Sequence, residues 1–150
     1  MKLKPVTVST TVSKSREEVF EFLDLLANHE GFTDHLFKNW SFSGPARGVG
    51  AKARARVNAP GSREFAEFEV VEAERPERIV EKAVSANGKR ETRGTYRFEE
   101  LAEGGTKISF ELTWIEVPRS ERLAPPLART FIRRANGKAM RRLAKQLGKG

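Results

Sequence analysis

The chain has 150 residues, a formal net charge of +8, 38% apolar and 32% charged side chains, and no cysteine. That length fits one domain spanning residues 1–150, which buries about 68 to 70% of its unfolded surface and so builds a real core. Disulfides, thiolate chemistry and cysteine-ligated zinc or iron–sulfur sites are excluded; with no run of roughly 18 apolar residues and no apolar segment behind a basic N-terminus, neither a membrane span nor a signal peptide is expected, and a cytoplasmic location is.

In chain order, Val6, Val8, Thr10 and Val12 alternate with Thr7, Ser9 and Thr11, the period-2 pattern of a strand rich in β-branched residues. Ser15 followed by Glu18 forms a capping-box pattern that opens a helix, and Val19, Phe20, Phe22, Leu23 and Leu26 supply its apolar face. The pattern loosens around Gly31, which predicts a second short helix or helical loop from Ala27 to Phe37. Trp40 and Phe42 alternate with serines over 38–43 before Gly44 and Pro45 break the run. In AKARARV, the alanines and Val57 form one face and Lys52, Arg54 and Arg56 the other, so small side chains on the inward face leave room. Ala66, Phe68 and Val70 repeat the alternation, Pro76 turns the chain into a strand from Arg78 to Val84, and Asn87-Gly88 is the strongest hairpin signal. Glu91 to Phe98 follows, and Gly104-Gly105 joins it to the alternating Ile108, Phe110, Leu112 and Trp114.

The final stretch, Arg122 to Leu147, has helical period. Leu127, Phe131, Ile132, Ala135, Ala139, Met140, Leu143 and Leu147 fall on one side, and Arg133, Arg134, Lys138, Arg141 and Lys145 on the other. Charge is concentrated here: from Arg122 onward there are nine Lys or Arg and no Asp or Glu. The basic face reads either as a solvated face suited to the negative end of the helix dipole or as a docking surface for anionic lipid headgroups. Nucleic acid is the less favoured partner.

The order is strand, two short helices, a meander of about six strands and a long closing helix, with connections too short for parallel crossovers. That is an α+β arrangement: one curved antiparallel sheet of six to seven strands wrapped around the C-terminal helix. A strongly twisted sheet of this size curls, and a helix across the curl encloses an interior.

The stretches VTVSTTVSKSREEVFEFL, RGVGAKARARV, FEVVEAERPERIV and RGTYRFEELAEGGTKISFEL together resemble the SRPBCC superfamily, most closely its polyketide cyclase/dehydrase and lipid-transport group, relatives of START domains and of the birch pollen allergen. The resemblance covers nearly the whole chain and implies a helix-grip fold with a hydrophobic cavity between sheet and last helix. Members differ in what they bind or do, so it implies no activity.

By strand parity the inward candidates are Trp40, Phe42, Phe68, Tyr96, Phe98, Phe110, Leu112 and Trp114, facing Phe131, Ala135 and Met140 of the helix. Tyr96 shares a face with Gly94 and Phe98, so its hydroxyl meets a ligand or a structural partner. Asn136 lies at the edge of the apolar helix face, though with Gly137 it also reads as a bend or break in the helix. Arg54 alternates with alanines and points outward. His29, Glu30, Asp34 and His35 mimic a metal cluster, but the two histidines are six residues apart, about 120° on a helix, unlike a helical zinc motif; no metal or cofactor is expected. His35 remains the one imidazole placed to act as a general base at a cavity entrance. GVGAK lacks the third glycine of a dinucleotide fingerprint and opens a strand, and GxSxG and P-loop motifs are lacking.

Three function classes follow. The leading one is binding or transport of a lipid, quinone or polyketide-like compound; the second is a polyketide aromatase/cyclase using Tyr96 or His35 to move a proton; the third is a module that binds nucleic acid or an anionic surface through the basic helix.

Overall fold

The computed structural model describes residues 3–149. Seven strands form one antiparallel sheet: β1 (Val6–Val12), β2 (Phe37–Ser43), β3 (Lys52–Val57), β4 (Phe65–Glu74), β5 (Arg78–Ser85), β6 (Arg90–Glu100) and β7 (Thr106–Glu116). Their order is β1-β7-β6-β5-β4-β3-β2. The meander from β2 to β7 is as the alternation predicts; β1 closes on β7, pairing Val8 with Phe110. Curvature has local causes, because one strand of a pair carries extra residues at Asn39–Trp40 in β2, at Val71 in β4 and at Ile115 in β7. Such bulges bend a strand and increase its twist.

With β1 and β2 at opposite edges, the chain between them must cross the sheet. It does so as α1 (Arg16–Asp24), a 3-10 turn (Leu26–His29) and α2 (Glu30–Thr33). The capping box starts α1: Ser15 Oγ accepts from the Glu18 amide at 3.2 Å, and the Ser15 amide donates to Glu18 Oε1 at 3.2 Å. The helix buries Val19, Phe20 and Leu23, Phe20 meeting the edge of Phe98 at 6.1 Å. This crossing segment closes one end of the groove and carries His29 into it.

The last helix begins later than periodicity predicts. Arg119–Arg122 is a separate short helix, α3, and α4 runs from Pro125 to Lys149. Proline disfavours helical backbone in the residue before it but fits the first helical turn, so Pro125-Pro126 sets the new start. At 25 residues α4 is about 37 Å long. Asn136-Gly137 does not break it; burial of Asn136, Ala139, Met140, Leu143 and Leu147 outweighs the roughly 1 kcal/mol penalty of a helical glycine. The helix rests on β1 and α2 rather than on the middle of the sheet. Arg129 donates to the carbonyls of Lys4 at 3.1 Å and Pro5 at 3.2 Å, and Arg142 pairs with Asp34 at 2.5 Å. Supported at its margins, α4 spans the concave face and leaves a space beneath it.

The apolar side of α4 is therefore buried over half its length. Leu127 is 73% and Phe131 62% exposed, whereas Leu143 is fully buried. The first half overhangs the opening of the groove, where Ile132 packs against the Leu3, Val6 and Trp114 cluster while Leu127 and Phe131 stay exposed.

Candidate functional site

The space beneath α4 is a cavity of about 580 Å³. Cross-strand register builds its floor in successive rows, because paired residues on neighbouring antiparallel strands point to the same face. Tyr96 and Phe110 form the innermost row, with Ile79 packed in the core beside Tyr96; Glu81, Gly94 and Leu112 form the next; Ala83, Thr92 and Trp114 the third. Ser85 and Arg90 pair at the rim. Ser85 stands four positions along β5 from Glu81, so Glu81 lies about 13 Å inward from the rim. Gly94 makes one of these rows possible: a Cβ there would sit 2.6 Å from Cζ of Phe110, in the place the ring occupies.

The side wall is aromatic. Trp40 stacks on Phe68 at 5.2 Å and 15°, and Phe37 meets Phe68 edge-on at 5.1 Å. Met140, Ala139 and Asn136 of α4 form the roof.

At the inner end the cavity turns polar. His29 is 3% exposed, and its Nε2 lies 2.7 Å from the Leu23 carbonyl. A carbonyl only accepts, so Nε2 carries the proton and Nδ1 is turned toward Glu81 Oε2, 3.6 Å away. The His29 ring also meets Tyr96 edge-on at 5.6 Å. Burial pushes the Glu81 carboxyl above its ordinary range, and His29 opposes that only in part. Burial, and then the Glu81 charge, hold the Tyr96 phenol well above its usual value. The Tyr96 phenol therefore keeps its proton at neutral pH.

The Glu81 shift has a consequence for stability. Below the ordinary carboxylate range both folded and unfolded chains hold the proton and nothing is lost. As pH rises through the raised folded value, the unfolded chain ionises more readily and the folded state loses stability. Asp34, held low by Arg142, and Glu18, held low by Ser15, have the opposite sign, so the comparison must be with a variant. Urea denaturation from about pH 4 to 8 is expected to show a decline for the native chain relative to Glu81→Gln, with His29 and Tyr96 unchanged in both. Parallel profiles would mean that Glu81 is solvated.

Arg90 organises the rim. Its Nη1 donates to Glu64 Oε1 at 2.7 Å and Ser85 Oγ at 2.9 Å, and its Nε donates to the two carboxylate oxygens of Glu121 at 3.1 and 3.0 Å. One guanidinium thus ties α3 to the starts of β4 and β6 beside the opening.

Of the residues singled out in the sequence, Trp40, Phe68, Tyr96, Phe110, Leu112, Trp114, Phe131, Asn136 and Met140 line this cavity. Four others lie elsewhere. Phe42 is 44% exposed and stacks on Trp40 at 5.8 Å; it has the inward parity of its partner Ala53 but lies on the edge strand, outside the cavity lining. Phe98 faces inward but is covered by Phe20 of α1. Ala135 turns away and offers its carbonyl to His35 Nε2 at 2.9 Å. His35 is not a free base at the entrance: its Nδ1 accepts from Arg142 at 3.0 Å, so both ring nitrogens tie α2 to α4. Asp34 goes to Arg142 and His29 to Glu81, so the apparent metal cluster is dispersed. Arg54 points outward over the Phe65 ring at 4.0 Å.

The sequence reading passed over Glu81 and the inward role of His29. A signal for Glu81 was present: in RIVEKAV it has the parity of Ile79 and Ala83, a carboxylate on the apolar face of a strand.

No protein-family model matches the chain, and no curated protein matches it. Solved structures do. A protein of Thermus thermophilus superposes with a TM-score of 0.73 at 18% identity, covering 96% of this chain and 97% of the other. The ginseng major latex-like protein 151 of Panax ginseng gives 0.68 at 11% identity, with 95% and 96% covered. DynU16, a putative protein of the dynemicin biosynthetic locus, gives 0.67 at 19% identity over 95% of this chain and 46% of its own length. At such identities likeness establishes fold alone: this chain has the α+β helix-grip fold of those proteins, the fold that its resemblance to the SRPBCC superfamily implies.

Proposed function

We propose that this protein binds or carries a hydrophobic small molecule, of the lipid, quinone or polyketide-like kind, between the sheet and α4. The observation that carries the reading is a cavity of about 580 Å³ inside a domain of 150 residues. Protein interiors are close-packed, and a space this large forfeits contacts that its lining would otherwise make. Its size and mostly apolar walls match the range in which small molecules are held, roughly 300 to 1,000 Å³. Native mass spectrometry of protein purified without detergent is expected to show a retained small-molecule mass that disappears on denaturation. Protein of bare chain mass, with no uptake of added apolar compounds, would overturn the reading.

A second reading, polyketide aromatase/cyclase, is favoured by the Tyr96–His29–Glu81 grouping at the inner end. There a protonated phenol stands ready to donate to a carbonyl oxygen and a carboxyl–imidazole pair to exchange a proton with a ligand carbon or oxygen. The two readings part on turnover: a cyclase converts a poly-β-keto substrate and loses that conversion in Tyr96→Phe, whereas a carrier returns its ligand unchanged.

The opening also bears on how a ligand is loaded. Exposed Leu127 and Phe131 lie on the same helix as exposed Arg133, Arg134, Lys138, Arg141 and Lys145. An apolar stripe with cations alongside fits an anionic bilayer surface, each cation contributing about 1 kcal/mol near it. Co-sedimentation with phosphatidylglycerol vesicles is expected to exceed that with phosphatidylcholine, to fall with added salt and to weaken in Leu127→Ser/Phe131→Ser. Equal partition to both vesicles would remove the membrane from this account.

A further inference from the structure

Two residues of the cavity lining each hold a buried polar atom with no hydrogen-bond partner among the described residues. Glu81 and Asn136 are each 8% exposed, yet Glu81 Oε2 and Asn136 Nδ2 have no hydrogen-bond partner among the described residues. Buried polar groups are almost always paired, and an unpaired one carries its full desolvation penalty. The other unpartnered atoms, Arg16 Nε, Arg78 Nε and Gln146 Oε1, belong to residues outside the cavity lining, so Glu81 and Asn136 are a pair distinguished by place. One comes from β5 and the other from α4, so the two residues line the same space from floor and roof. One is an acceptor, the other a donor.

We infer that the ligand is a neutral, hydroxyl-bearing hydrophobe of the phenol or enol class, whose O–H donates to the Glu81 carboxyl and whose oxygen, the same one or a second, accepts from the Asn136 side-chain amide. The inference rests on the reading of the cavity as a ligand site. Charge and valence narrow the choice. A carboxylate would lie against Glu81 with no free Arg or Lys to receive it, since among the described residues the lining holds only Arg90, at the rim and already held by Glu64 and Glu121. An ammonium donates but cannot accept, which leaves Asn136 Nδ2 unpaired. A hydroxyl does both. The apolar body fits the remaining depth: about 13 Å of β5 separates Glu81 from the rim, and the walls along it are Trp40, Phe68, Phe110 and Trp114, flat faces suited to fused rings.

The test compares three probes of one shape, naphthalene, 2-naphthol and 2-naphthoate, titrated by fluorescence or calorimetry at pH 7 into the native chain, Glu81→Leu and Asn136→Leu. Removing an unpartnered buried polar group does not weaken a fold, so both variants should melt at or above the native temperature, which verifies that they are folded. In the native chain 2-naphthol is expected to bind about tenfold tighter than naphthalene, the yield of one or two well-placed hydrogen bonds, and 2-naphthoate weakest of the three. In each variant the ratio of naphthol to naphthalene should collapse toward one. Equal binding of naphthol and naphthalene by the native chain, tightest binding of naphthoate, or a preference that survives in both variants would overturn the inference while leaving the cavity a ligand site. Binding of none of the three would bring down both.

Discussion

Ala83→Phe/Ala139→Phe is expected to cost cavity ligands about a hundredfold or more in affinity while shifting stability by no more than about 1 kcal/mol. Ala83 stands on β5 beside Phe68 and Thr92 in the sheet register, and Ala139 stands on α4; both line the cavity, one from the floor and one from the roof. In a closely packed core two added rings would force neighbours off their rotamers at about 1 to 3 kcal/mol each. In a cavity of about 580 Å³ they take space and bury their own surface instead. Isothermal titration with naphthalene and urea denaturation with an unchanged slope read the two quantities separately. A loss of several kcal/mol in stability would mean that floor and roof are already in contact, and retained affinity would place the ligand elsewhere.

Leu143→Ala is expected to cost about 2 to 5 kcal/mol, whereas Phe131→Ala costs less than about 1 kcal/mol, although both side chains belong to one apolar stripe of α4. Leu143 is fully buried in the main core with Met140, Ala139 and Leu147. Truncating it removes transfer energy and leaves a hole that rigid neighbours do not fill. Phe131, 62% exposed at the opening, has little surface to return to water. Urea midpoints for the two variants measure the contrast. Similar losses from both would mean that the first half of α4 is gripped as tightly as the second.

That contrast marks where the sequence was legible and where it was not. Alternation located all seven strands to within a few residues because each has one buried and one solvated face, and the capping box located α1 because Ser15 and Glu18 act locally. Periodicity found α4 but assigned its whole apolar stripe to the interior. A stripe records which side chains share a face, not how far the partner surface extends, and here Ile132 is packed while Leu127 and Phe131 stay exposed at the opening. Phe42 was misplaced for a related reason: its parity is inward, as its pairing with Ala53 requires, but β2 is an edge strand and the lining reaches Trp40 without reaching Phe42. The aromatic lining was legible from parity; the polar end was not, because Glu81 comes from β5 and His29 from the turn after α1, far apart in the chain. Their meeting depends on the crossing segment lying over one end of the sheet.

Transfer of magnetisation between bound, unlabelled naphthalene and the methyl groups of isotopically labelled protein tests most directly whether α4 roofs a usable interior. The account predicts contacts to the Met140 methyl and to the methyls of Leu112, Ala83 and Ala139, on helix and sheet together. Contacts confined to exposed Leu123, Leu127 and Val49, with none to those inner methyls, would contradict it.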